Sequence, residues 1–292
     1  LLNYVTAIGW GADSATFAKL WPADVQLVGK DIARFATIIW PAMLWALDLP
    51  APACVYAHGW LTVEGEKMSK SKGNIIDPFA LVGFDPETGR FDPSPGAFDP
   101  DTIRYFLLRE ARFGSDFSLS AEKIRKRNNT DLGNDLGNLL RRTLTMLAKY
   151  REGRVPAYAG SPFAERYAAL PATVHGQIMA LDFRDAFESI WDLVGALNRA
   201  IDEKKPWELQ KTGKDAELDA LLYDLCEGLR WIAVLTFPFM PAKAQEMWHQ
   251  LGLSETPSRN WREALVWGTY PPAAQTAPGA ILFTRLEEPV EA

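Results

Sequence analysis

The spacing of apolar positions changes near residue 119. Before it, short apolar runs are broken by glycine, proline and aspartate; after it, apolar residues recur every three or four positions almost to the end. In the first part, residues 21–31 predict a short buried strand running into a glycine turn at Gly29. Residues 32–47 carry helical periodicity interrupted by Pro41, and residues 53–63 predict the next strand. Residues 83–100 hold four prolines and predict a surface excursion. A helix over 102–109 follows, opened by Asp101. Ser120-Ala121-Glu122-Lys123 has the form of an N-cap with an early acid and predicts a long helix to about Tyr150. Further helical runs cover about 162–175, 182–204, 215–236 and 241–251, giving a bundle of about five members. The apolar stretch 279–286 is expected to pack back on the body. The fold class is therefore α/β plus all-α, divided near 118–120.

Composition narrows this picture modestly. Hydrophobic residues make up 48% and charged residues 23%, as in a water-soluble globular protein. A net charge of −6 argues against a generally basic coat but leaves room for a local basic surface. Cys54 and Cys226 lie far apart in apolar runs; a buried free thiol is expected for each, and with it a reducing compartment such as the cytoplasm. The three histidines have no metal-ligand spacing and there is no C-x-x-C, so no zinc site is expected. No apolar run is long enough to span a bilayer. The chain opens on Leu1 within an apolar segment, which reads as a fragment.

The strongest chemical signal is Lys67-Met68-Ser69-Lys70-Ser71, which follows a strand and lies between Gly65 and Gly73. Mobile ammonium groups with hydroxyls and backbone N–H groups form a clamp for a triphosphate. A solvated lysine-rich turn is the plainer alternative, but two glycine flanks and the strand favour the clamp. Positive charge there would meet the leaving pyrophosphate, help worth about 3–4 kcal/mol per well-placed donor. His58-Gly59-Trp60 just upstream could line a nucleotide pocket.

Other residues have two readings. Leu1, Tyr4, Phe35 and Trp40 are core by default, or the walls of an apolar ligand pocket if one cavity gathers them. Asn134, Asn138 and Arg142, spaced four apart, share one helix face; they are a solvated face or readers of an unstacked RNA loop. Gly133 and Gly137 on the same helix would allow close approach. Residues 121–154 carry nine basic and four acidic residues, a positive stripe within an acidic chain. Trp207, after Pro206, either stacks on a base or plugs the bundle's end.

Taken in order, Gly29-Lys30-Asp31-Ile32, Trp40-Pro41, His58-Gly59-Trp60-Leu61, Lys67 to Ser71, Arg104 to Glu110, Asp131 to Leu139 and Pro206-Trp207 resemble the bacterial methionyl-tRNA synthetases, class I aminoacyl-tRNA synthetases, from Leu1 to about Glu287. The resemblance implies the second half of a Rossmann-like catalytic domain with a stem-contact region over 1–119, an anticodon-binding helical domain over 120–275 and a C-terminal segment over 276–292. It implies ATP with Mg²⁺, L-methionine and tRNA(Met) as substrates and partners. Lys67, Ser69 and Lys70 match catalytic positions; Asp31, His58, Gly59, Trp60 and Met68 to Ser71, with Lys67, match the ATP site. Leu1, Tyr4, Phe35, Ala36 and Trp40 match the methionine pocket, where a thioether among rings gains about 0.3–1.5 kcal/mol per contact. Asn134, Asn138, Arg142 and Trp207 match the readers of the CAU anticodon. The chain departs from the family at Ala36 and Gln26, where histidine is usual, in its longer segment 83–100, and in lacking the family's N-terminal half and zinc-bearing insert; that half is a possible partner. The competing functions are a class I synthetase for another aliphatic amino acid and a non-catalytic tRNA-binding module.

Overall fold

The computed structural model describes all residues except 64, 69–72, 92–96, 113, 255, 258–260, 272 and 288–292. It divides into two compact units: residues 1–74 with 111–119, and residues 75–110 with 120–292.

The first unit is built around short strands. Gln26–Gly29 pairs in parallel with Val55–His58, Gln26 opposite Val55 and Gly29 opposite His58. Only Val28 of the first strand is buried, and Leu27 is 56% exposed, so the strand is half-covered rather than buried as its composition suggested. The apolar run 53–63 is two strands. Leu61–Val63 forms a separate sheet, antiparallel to Glu66–Lys67 and parallel to Phe117–Ser118. Gly59 sits at the break: a Cβ there would overlap the carbonyl of Ser115, so only glycine lets the two backbones approach. The helical stretch after Gly29 is continuous through Trp45 but changes winding, from a 3₁₀ turn (Lys30–Ile32) through a π segment (Phe35–Ile39) to an α-helix (Trp40–Trp45). Pro41 has no N–H for the ladder, and the chain accommodates it by winding wide immediately before. Val5, Trp21, Trp40 and Leu44 form this unit's core, with Trp21 edge-on to Trp40 at 6.2 Å. Cys54 is exposed, contrary to expectation, because it lies just before a strand whose flank is open; Cys226 is buried, and desolvation pushes its thiol upward.

The second unit is a helical bundle. Its members include Asn138–Arg151, Leu170–Met179, Phe183–Lys204, Asp215–Thr236 and Pro241–Gln250. The helix Pro100–Arg109, capped by Asp99, belongs here and not with the first part: Tyr105 packs edge-on against Phe187 at 4.8 Å and tilted against Trp191 at 4.9 Å, and Arg104 donates to the Phe239 carbonyl. The division at 119 thus misses residues 75–110: the apolar face of the helix Pro100–Arg109 is answered by the bundle, while Phe79, Phe84 and Phe91 pack on one another. The helix Asp215–Thr236 is buried along nearly its whole second half. Two charges on it, Glu227 and Arg230, pair through two 2.8 Å hydrogen bonds. They also hold the loop beyond: Arg230 donates to the carbonyls of Ala264 and Val266, and the amides of Gly268 and Thr269 donate to Glu227. The long helix expected from Ser120 to about Tyr150 runs unbroken from Ala121 to Arg151, but its winding changes, from Ala121–Arg127 through a ten-residue π stretch Asn128–Gly137 to Asn138–Arg151. The C-terminal residues Leu282 and Phe283 are buried in the bundle's core, and 276–287 forms part of this unit. Among the described residues no helix is long and apolar enough to cross a membrane.

Candidate functional site

In the first unit, chemistry gathers at the end of the parallel strand pair. Lys30, next after Gly29, reaches Asp116, with Nζ 2.5 and 2.6 Å from the carboxylate oxygens, and lies over the Trp60 ring at 4.2 Å. The Trp60 amide donates to the same carboxylate at 2.8 Å. Hydrogen bonding from Lys30, then from the Trp60 amide, holds the Asp116 carboxyl below the usual range. Asp116 therefore fixes both the lysine and the backbone of the His58-Gly59-Trp60 turn. This triad joins residues far apart in sequence, and the sequence reading missed it; the only local hint was the Gly29-Lys30-Asp31 turn. His58 is exposed, with Nδ1 2.8 Å from the Gly59 carbonyl, and Asp31 is exposed in the 3₁₀ turn. Lys67 lies in a strand opposite Thr62 and not in the loop expected for it, because the turn at Gly65 folds the chain back immediately. Met68 is half-buried, and Ser69, Lys70 and Ser71 lie outside the described residues, as does the Lys67 side chain.

The apolar candidates separate. Tyr4 and Trp40 meet at 5.9 Å, and Trp40 is fully buried. Ala36 is buried on the same helical stretch. Leu1 and Phe35 are exposed, Phe35 at 53%, and neither joins a ring cluster among the described residues.

In the second unit, the four polar candidates fall on two neighbouring hollows. Arg142 and Trp207 line one of about 390 Å³, with Arg141, Thr145, Met146 and Ile201. Trp207 is 46% exposed on the short helix Pro206–Lys211, entered through Lys205 in a left-handed conformation. That turn sets the indole on the hollow's wall, where it does not plug the bundle. Arg142 donates to Asp202 at 2.7 Å, which aims the guanidinium and removes part of its charge. Asn134 and Asn138 line a wider groove of about 960 Å³, with Arg141 again on its wall. Asn138 accepts from Arg141 at 3.2 Å.

The positive stripe is weaker than a local count implies. Arg127 pairs with Glu110 and Asp131, and Arg151 with Asp215 and Asp219. The tightest neighbours of Gly133 and Gly137 are carbonyls of their own wide-wound run: Cβ atoms there would meet the oxygens of Asn128 and Leu132 at 3.2 and 3.1 Å, with Phe283 of the C-terminal segment at ordinary contact distance, 4.0 and 3.6 Å. Among the described residues no group of three or more His, Cys, Asp or Glu could hold a metal ion.

The model of class I tRNA synthetases (M) matches residues 1–144. A methionine–tRNA ligase of Caldanaerobacter subterraneus subsp. tengcongensis is 45% identical over 98% of this chain and 44% of its own length. That of Listeria monocytogenes serotype 4b is 42% identical over the whole chain and 43% of its own length. The chain belongs to the methionyl-tRNA synthetase family. It spans less than half the length of these relatives. The Mycobacterium tuberculosis methionyl-tRNA synthetase in complex with methionyl-adenylate superposes with a TM-score of 0.83 at 38% identity, over 96% of this chain and 54% of that one. Its apo form gives 0.82 at 35% identity. The α/β first unit and helical second unit are thus the partial Rossmann fold and bundle of methionyl-tRNA synthetases.

Proposed function

We propose that this chain carries the signature loop and the anticodon-reading part of a methionine–tRNA ligase. The observation that carries the reading is the pairing of Trp207 and Arg142 in one small hollow, beside Asn134 and Asn138 earlier on the helical run that bears Arg142. An exposed indole offers a base a stacking face, and an oriented guanidinium offers two parallel donors. Asn134 and Asn138 add amides suited to base edges.

In the whole enzyme, a methionine carboxylate oxygen would attack the α-phosphorus of ATP, with Mg²⁺ accompanying the nucleotide as part of the substrate. Pyrophosphate leaves and methionyl-adenylate forms. A hydroxyl of the terminal tRNA ribose then attacks the acyl carbon, and AMP leaves. Lys67, Ser69 and Lys70 would meet the leaving pyrophosphate, Ser71 would assist, and His58 to Trp60 with Asp31 would face the nucleoside. Lys30 and Asp116 act through Trp60 by positioning it. Tyr4 and Trp40 would face the methionine thioether, with Leu1, Phe35 and Ala36 around them. Partial coverage of the relatives and open apolar side chains on the first unit, such as Leu27 and Trp45, support a catalytic domain completed by further chain of the same enzyme. A protein that charges tRNA for translation would act in the cytoplasm.

The test is binding of a methionine-tRNA anticodon stem-loop to the chain. Trp207→Ala should weaken it by about 1–3 kcal/mol. Unchanged affinity would remove the stacking role and the reading with it.

A further inference from the structure

The wider groove of the second unit holds residues that the proposed anticodon site does not use. One wall is the helical run through Asn134, Asn138 and Arg141; the other is the returning segment around Pro278 to Phe283. The floor is aliphatic, with Leu140, Leu144, Ala148 and Leu282. Three cations, Arg141, Lys149 and Arg285, stand along it with no acidic residue in the lining, and all three are exposed. Among the described residues none of the three has an acidic partner, unlike Arg142, Arg127 and Arg151 nearby. At about 960 Å³ the space lies at the upper end of the roughly 300–1,000 Å³ usual for ligand clefts.

The two walls are tied together. Asn128 and Asn129 donate to the carbonyls of Thr284 and Leu286, each at 2.9 Å, and the Leu286 amide returns a bond to Asn129. Gln250 donates to Ala280 at 2.9 Å. The groove is thus fixed at both ends. Arg141 and Thr145 line both this groove and the Trp207 hollow, so the two share a wall.

We infer that this groove is a second subsite for single-stranded RNA, taking an unstacked nucleotide of the same loop whose neighbour stacks on Trp207. The base lies on the aliphatic floor with its edge toward Asn134 and Asn138; Arg141 stands between the two bases; Lys149 and Arg285 meet the phosphates. The inference rests on the anticodon reading above and adds three residues and the C-terminal segment to it. Amides and unpaired cations over an apolar floor match a nucleotide better than an acidic peptide, which would leave the amides without purpose.

Stem-loop affinity would be measured across a salt series for the full chain, for Lys149→Ala with Arg285→Ala, and for Ala148→Trp, which fills the groove without changing charge. The double variant should bind at least tenfold more weakly, with a salt slope lower by about 1.4, since each phosphate no longer neutralised lowers it by about 0.7. Ala148→Trp should weaken binding with the slope kept. A 4-thiouridine in the loop should crosslink to residues 278–285. Wild-type affinity in both variants while Trp207→Ala binds poorly would overturn the second subsite alone; wild-type affinity in all three would overturn the anticodon reading as well. If polyglutamate competes for the groove and the stem-loop does not, the surface belongs to a protein partner and the inference fails.

Discussion

The two units differ in how much of themselves they bury. The bundle encloses a continuous core from Tyr105 to Phe283, and even its charges Glu227 and Arg230 are sealed and paired. The first unit's aromatic core gathers four buried residues, Val5, Trp21, Trp40 and Leu44. Of the twenty large hydrophobic residues found exposed among the described ones, twelve lie within residues 1–47, including Trp45 at 67%. Apolar side chains scattered singly on a surface are ordinary; a concentration of this kind marks a face meant for contact. The candidate RNA-reading site therefore rests on a self-sufficient scaffold, whereas the nucleotide end rests on one that leaves apolar surface unused.

Perturbing each scaffold separates the two. The largest effect is expected in the bundle: Glu227→Ala leaves Arg230 buried without its partner and frees the loop at Gly268, at a cost of about 3–5 kcal/mol. Chemical denaturation should show the loss in the transition that also reports Trp231. Leu44→Ala in the small core should cost about 2–5 kcal/mol. Its effect should be confined to amides of the first unit in hydrogen exchange, with the bundle's protection unchanged. A global loss would show that the units do not fold separately.

A smaller effect should depend on pH. Burial raises the Asp224 carboxyl from 3.8 to about 6, and its Oδ1 is buried with no hydrogen-bond partner among the described residues. The folded protein then holds this proton more tightly than the unfolded chain, so stability from this group is full below about pH 4 and is lost as pH rises through 6. Asp224→Asn should raise stability at pH 8 by about 1–2 kcal/mol after allowance for solvent screening, with little gain at pH 4. An advantage at both pH values would contradict the assigned cause. The smallest effect belongs to the open face: Leu27→Ser or Trp45→Ser should change the stability of this chain by no more than about 0.5 kcal/mol. A large loss would mean the side chain is already covered.

Much of the bundle was legible because one-sided helices repeat their apolar residues at a fixed interval. Asn134, Asn138, Arg142 and Trp207 were singled out from motif order, and the structure places them on two neighbouring hollows; their role is a proposal. What escaped was set by partners distant in sequence. Nothing local to Lys30 announces Asp116, and nothing near Arg142 announces Asp202. The π winding of Asn128–Gly137 accompanies side-chain bonds from Asn128 and Asn129 to the returning C-terminal backbone, and helical periodicity is silent about such bonds. Gly133 and Gly137 were expected to admit a close partner, and in the structure their tightest neighbours are the carbonyls of Asn128 and Leu132 in the same wide-wound run. Cys54 looked buried because an apolar neighbourhood in sequence was taken for one in space. Ser69 and Lys70, the strongest chemical signal, lie outside the described residues, so their proposed role rests on the motif alone.

The most direct test compares the affinity of this chain for a CAU stem-loop with that for the same stem-loop carrying another anticodon. Clear preference for CAU, abolished by Trp207→Ala, is the predicted result; equal binding of both loops would contradict the proposal that the bundle reads the anticodon.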